Sequence, residues 1–265
     1  MTTLDQSRET LPDDTPIYKY IDKKTFFDYY LNTDQPTLLF RNIHEWYDSH
    51  EGRIKGMLKA FDSKTGIAQE TQDIQSYLGS CWALCTDDER LYDSNIELEL
   101  ANNELVKFGS DAMWQTYCPE GGVRIQTTIG KLRGILEGFE YLHGRMKYAT
   151  QRVAVGRSRT GIKDGALFIK RIPFRHENEY RFIITLPKQT QSLSLQFELM
   201  DLVDEFLVSP KKKQGCDSEQ IKKAITKQTS YQLADFHFTV GERETKPRIR
   251  ISELYDKVLP ATAKK

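Results

Sequence analysis

No apolar run in the 265-residue chain approaches the roughly 20 residues that a bilayer-crossing helix requires. The opening residues 1–16, MTTLDQSRETLPDDTP, offer neither a basic n-region nor an apolar h-region, so a short flexible arm is expected there rather than a secretory leader. Cysteine is scarce: Cys81, Cys85, Cys118 and Cys216 match neither paired zinc knuckles nor the framework of a small disulfide-rich domain. Cys81 and Cys85 could share a helical face, but only five histidines are scattered along the chain, so no metal is expected. Reduced thiols in a cytoplasmic protein follow. The Gly-rich stretch 156–165, GRSRTGIKDG, contains no Lys-Ser or Lys-Thr pair, which excludes a P-loop. Internal repeats and long linkers are also missing.

A hydrophobic content of 38% with 11% aromatics is ample for a buried core. Net charge is zero but unevenly placed: residues 1–130 carry 12 Lys+Arg against 22 Asp+Glu, a net of −10, and residues 131–175 carry 11 against 3, a net of +8. The basic middle suits a nucleotide or another anionic ligand, or a nucleic-acid backbone. Equally, it could balance the acidic first half within one fold.

The stretch from Phe168 to Leu186, FIKRIPFRHENEYRFIITL, carries the densest chemistry. Tyr180 to Leu186 is rich in β-branched and aromatic residues and predicts a strand. Alternation would put Glu177, Glu179 and Arg181 on one face, at roughly 7 Å intervals, and Tyr180, Phe182 and Ile184 on the other. Two readings fit. One is an edge strand with a solvated charged face; the other is a strand entering a covered core from the rim of a cleft, since its polar face turns apolar at Ile183.

Along the chain, Ile17 to Ile21 predicts a strand with Tyr18 and Tyr20 on one face, followed by a helix over Thr25 to Leu31 capped by Asp22. Leu38 to Phe40 predicts a second strand, and the polar, aromatic loop from Arg41 to Arg53 is either a ligand contact or a loop pinned by Trp46. Ile54 to Tyr77 has a loosely helical pattern broken at Asp62 to Gly66. Tyr77 to Cys85 predicts a strand, Leu98 to Phe108 a helix, and Met113, Trp114 and Tyr117 a further helical turn. Val123 to Thr127 should alternate with Val123, Ile125 and Thr127 inward and Arg124 and Gln126 outward. Then come a helix over Ile129 to Leu142, a strand over Tyr148 to Val155, a strand over Leu202 to Val208 and a helix capped by Asp217 that runs to Lys227. Strands at Phe236 to Val240 and Arg248 to Ile251 close the chain. These elements predict an α+β fold with mixed or antiparallel short strands and packed helices, as a single domain over 17–258 followed by a flexible tail at 259–265.

In order, IYKYI at Ile17, the Ser80-Cys81-Trp82 strand, MW-x-x-Y at Met113, GGVRI, LFIKR, ENEYR and the late FLVSP turn before a helix resemble the bacterial domain-of-unknown-function family 2971, over about residues 17 to 252. The chain departs from that family after the second strand, where a Phe-Asn-Asp-Pro-Phe-like pattern gives way to RNIHEWYDSHE, with Asn42 and Asp48 as the nearest polar equivalents. The family name carries no activity. An aromatic first strand, a helix, a short strand and a late strand opening with glutamate are also similar in layout to the ADP-ribosyltransferases, including those that modify DNA and act as toxins. That similarity implies a split-sheet core, NAD as the donor, a nucleic-acid or protein acceptor and a place in a toxin or antiviral defence system.

It also implies residue roles. Glu179, with Glu177 beside it, would stabilise the oxocarbenium-like ribose. Tyr18 or Tyr20 would contact the nicotinamide ribose, Trp114 or Tyr117 would stack on a ring, and Arg171, Arg175 or Arg181 would meet the pyrophosphate. The opposing reading is a non-catalytic module in which Glu179 and Arg181 form a structural pair and the basic region binds nucleic acid or an acidic protein. A phosphoesterase or nuclease would need a metal–carboxylate cluster, and neither Asp87-Asp88 nor Glu177 with Glu179 is joined by a histidine.

Overall fold

The computed structural model describes residues 9–46, 59–61, 68–70, 77–86, 93–150, 167–188, 190–210, 218–229, 232–233 and 248–255. In chain order the elements are β1 (Pro16–Asp22), α1 (Lys23–Phe26) running into a π-turn (Phe27–Leu31), β2 (Thr37–Asn42), β3 (Lys59–Phe61), β4 (Ala68–Glu70), β5 (Tyr77–Ala83), α2 (Asn95–Phe108), α3 (Asp111–Tyr117), β6 (Gly122–Thr128) and α4 (Ile129–Ile135). They continue with β7 (Tyr141–Arg145), β8 (Lys147–Ala149), β9 (Ile169–Arg171), a 3₁₀ turn (Ile172–Glu177), β10 (Glu179–Thr185), β11 (Ser192–Gln196), α5 (Leu199–Leu202), β12 (Glu205–Val208), α6 (Ser218–Gln228), β13 (Gln232–Leu233) and β14 (Arg248–Ile251). The fold is α+β.

Two compact units share the chain, the first drawn from Met1–Ile17, Gln35–Leu84 and Thr127–Glu198, the second from Tyr18–Asp34, Cys85–Gln126 and Leu199–Lys265. In the first, β10 lies between β5 and β7, antiparallel to both, and β5 continues through β2 to β11. A separate parallel pair joins β8 to β9. Ile43, Met146, Leu167, Phe168 and Ile183 form a buried cluster, with Trp46, Tyr77, Leu142 and Tyr148 packed against it. From Glu179 to Ile184 every residue of β10 is buried, so the edge-strand reading is corrected: this strand has partners on both sides.

In the second unit β6 stands beside β1 and runs antiparallel to β12, and β12 pairs in parallel with β14, which pairs with β13. Asp22 caps α1 as expected, accepting from the Thr25 amide at 3.0 Å. Phe26 meets Phe206 edge-on with centroids 5.6 Å apart, and Ile221 and Ile225, one turn apart on α6, are fully buried.

Several expectations differ from the observed elements. The helix expected to reach Leu142 stops at Ile135, because Gly134 weakens it and Gly138, at φ +89°, reverses the chain before Tyr141 starts to pair with β10. Part of the loosely helical region forms the antiparallel β3–β4 pair, with Lys59 opposite Glu70 in the register, and the expected break at Asp62 to Gly66 lies outside the described residues. The strand placed at Leu202 to Val208 begins at Glu205, after α5. Of the strand placed at Tyr148 to Val155, Tyr148 and Ala149 belong to β8, and residues 151–155 lie outside the described residues. Residues 156–165, Asp217 and the strand placed at Phe236 to Val240 lie outside the described residues.

A Cβ on Gly122 would collide with the Ile21 carbonyl oxygen, whereas one on Gly134 would meet nothing within 4 Å. Gly122→Ala is therefore expected to destabilise by about 3 kcal/mol, since backbone must yield. Gly134→Ala should stabilise by about 0.5 kcal/mol through helix propensity. Urea unfolding of both variants checks the pair.

Candidate active site

Glu179 opens β10, and three local features bring charged groups to it. Along the strand, Arg181 shares its face, and its Nε donates to Glu179 Oε1 at 2.7 Å. Glu177 is not on the strand: Pro173 starts the 3₁₀ turn, and Asn178 at φ +39° bends the chain so that Glu177 faces the same ammonium as Glu179. That ammonium belongs to Lys170 on β9, whose Nζ is 2.6 Å from Glu177 Oε2 and 3.2 Å from Glu179 Oε2. Asn178 holds the bend, donating to the Leu84 carbonyl and accepting from Arg145 Nη2.

All four charges are buried. Glu179 is 2% exposed and Arg181 1%, a degree of burial that charged side chains tolerate when paired. The Glu179 amide donates to the Tyr148 hydroxyl at 2.8 Å, and Arg181 Nη1 donates to the Leu167 carbonyl at 2.7 Å beneath the Trp46 ring, 4.5 Å away. Burial alone would raise the Glu179 pKa; the charges of Arg181 and Lys170, with hydrogen bonds from Arg181 and Cys81, outweigh it and hold the carboxyl at about 2. Burial, then the Glu179 charge, pushes the Tyr148 hydroxyl up. The result is a carboxylate that stays ionised at any ordinary pH.

The other residues named from sequence separate. Arg171, half-exposed, lies over the Phe174 ring at 5.1 Å, and Arg175 is exposed on the 3₁₀ turn. Arg181 is corrected as a pyrophosphate contact, because its donors are turned inward onto Glu179 and Leu167. Tyr18, Tyr20, Trp114 and Tyr117 belong to the second unit. Tyr18 lies under the Arg124 guanidinium at 4.5 Å. The Tyr20 hydroxyl accepts from the Ser110 amide, and its ring meets Trp114 edge-on at 4.8 Å. Trp114 is fully buried with Nε1 donating to the Phe108 carbonyl, so as described it is a packing residue rather than a ligand platform. Tyr117 is 40% exposed.

A second buried ionic centre was missed by alternation. Arg124, expected to face outward, is 1% exposed and donates to the Leu105 and Val106 carbonyls at 2.8 and 2.6 Å. Arg250 reaches the Lys107 carbonyl, and Ser252 and Trp114 reach that of Phe108. Side chains thus satisfy the last four carbonyls of α2, a helix without a fully buried residue, and place two cations at its negative end. Glu205 pairs with both, 3.6 Å from Arg124 and 2.5 Å from Arg250, with Arg248 at 3.3 Å. The signal available in sequence was charge inside apolar strands: VRI, EFLV and RIRI. Lys170 and Tyr148 were likewise not singled out as site residues.

Among the described residues Cys81, Cys85 and Cys118 form no disulfide, no group of histidine, cysteine and carboxylate side chains could hold a metal ion, and no helix is long and apolar enough to cross a membrane. No protein-family model, curated protein or solved structure matches the chain.

Because the Glu179 pKa is depressed on folding, its pairing contributes stability that is present at neutral pH and is lost as pH falls from about 4.5 towards about 2. Urea unfolding should show wild type losing about 2 kcal/mol more than Glu179→Gln between roughly pH 6 and roughly pH 3. Parallel pH profiles for the two proteins would contradict this.

Proposed function

We propose that the first unit carries the catalytic carboxylate of an enzyme that transfers ADP-ribose from NAD, with Glu179 as that carboxylate and Glu177 as its companion. The observation that supports this reading is the shared Lys170 ammonium: it draws two glutamates together at the start of one strand, and Glu179 remains ionised despite burial. In this chemistry the bond from ribose C1′ to the nicotinamide nitrogen breaks, nicotinamide leaves with the electron pair, and the acceptor attacks C1′ while a carboxylate stabilises the positive ribose. Glu179 Oε2 is the atom suited to that task. Its contact with Lys170 is the longer of the two that the lysine makes, so a ribose hydroxyl can replace Lys170 there while the lysine keeps Glu177. Arg171 and Arg175 lie on or beside the 3₁₀ turn that delivers Glu177, at a position suited to the pyrophosphate. The acceptor would be a nucleic acid or a protein, and a role as a toxin or defence effector follows from the same resemblance.

A second reading has its own support. Glu179 and Arg181 are almost wholly buried and mutually bonded, as in a structural pair that fixes β10 within a non-catalytic binding module. The two readings part on NAD. Calorimetry is expected to show saturable NAD binding, with slow nicotinamide release that Glu179→Gln abolishes at a temperature where circular dichroism shows the variant folded. Arg175→Ala, at an exposed position, should weaken NAD binding about tenfold without moving Tm. Absence of NAD binding by wild type at millimolar concentration would overturn the transferase reading and leave the structural pair.

A further inference from the structure

Strand β7 displays an alternating row that the candidate site does not use. Tyr141, His143 and Arg145 stand at alternate positions, about 7 Å apart, and all three are half-exposed. Lys147 continues the alternation on β8, and Arg133 on α4 joins the row, its Nε donating to the Tyr141 hydroxyl at 3.1 Å. The His143 ring is stacked on Phe182 at 5.4 Å and lies beside Tyr141 at 5.9 Å. Glu137 and Glu140, on the turn before β7, bound the row at that end.

Acidic residues near the start of the chain lie along this row. Glu9 forms a bridge with Arg145, its carbonyl accepting from the Arg145 amide at 2.9 Å and its carboxylate 3.6 Å from the guanidinium. Asp13 takes Arg133, whose Nη1 is 2.7 and 2.8 Å from the two carboxylate oxygens. Backbone bonds from Gly130 to the Asp13 carbonyl and from Ile129 to that of Thr15 dock the segment. Both ion pairs are solvent-exposed, with 59% exposure at the Asp13 side chain and 51% at Glu9, so each contributes little to stability and exchanges readily for another anion. Two carboxylates, four residues apart, with Asp13 on a turn closed by the Thr15 amide on the Pro12 carbonyl, therefore occupy two arginines as a pair of phosphates would.

We propose that the β7 row is a binding surface for single-stranded nucleic acid, and that residues 9–14 compete for it as an internal acidic strap. Interleaving of aromatic rings with cations favours a nucleic acid over an acidic peptide: Tyr141 and His143 offer surfaces for bases and Arg133 and Arg145 meet the backbone. The inference rests on the row and the strap and is independent of the NAD reading.

The test uses the full chain and a fluorescent oligothymidylate of about 20 nucleotides, read by anisotropy at about 50 mM salt and above. Two double variants break the same two ion pairs from opposite sides, so any loosening of the fold is common to both. Glu9→Gln/Asp13→Asn is expected to bind about fivefold more tightly than wild type, and Arg133→Gln/Arg145→Gln about tenfold more weakly with a shallower salt slope. Affinities that move in the same direction in the two variants would overturn the proposal, as would no binding by the strap variant at low salt. Poly-glutamate of similar length should displace the oligonucleotide only at much higher concentration; equal competition would assign the row to an acidic protein instead.

Discussion

Burial of the Glu179 carboxylate between Arg181 and Lys170 is the constraint on which the first unit depends. Taking that charge out of water is costly, and the cost is offset only if its partners hold their positions. Each partner comes from a different part of the chain: Arg181 from β10 itself, Lys170 from β9, Glu177 from the 3₁₀ turn, Tyr148 from β8. A register slip of one residue in β10 would turn Glu179 and Arg181 onto the face now filled by Tyr180 and Phe182. The ionic centre therefore selects one register and one conformation at Asn178 as well as setting up the chemistry proposed for it.

The second unit applies the same physics to a different purpose. There Glu205 pairs with Arg124 and Arg250 while those guanidiniums also donate to the end of α2. Charge-assisted bonds to three successive carbonyls, and neutral ones to the fourth, give α2 an anchor that burial of its side chains does not provide, as Ile96 and Leu100 remain exposed. Both centres use guanidinium because its fixed fork can bridge a carboxylate and a backbone carbonyl at once.

Much of the element order could be read from the sequence because it depends on local chemistry. The Asp22 cap, the helix running to Lys227 and the strand at Tyr180 follow rules that span a few residues. Arg124 shows where such rules stop. Alternation assigned it outward because it is charged, whereas its surroundings are set by Glu205, 81 positions later, and by carbonyls of a helix that precedes it. Likewise Leu142 looked helical from local spacing, and its place in β7 is dictated by pairing with Ile183. Glu177 and Glu179 were identified together, but by the wrong geometry: they meet through Lys170 and a left-handed residue, not through strand alternation.

Glu179 and Lys170 should act as one energetic unit, and a double-mutant cycle with Glu179→Gln and Lys170→Met, read by urea unfolding at neutral pH, measures their coupling. A coupling energy of about 2 kcal/mol is expected, because removing either partner leaves a buried charge that the other variant no longer carries. Effects that add to within about 0.5 kcal/mol would contradict it and place the two side chains in separate environments.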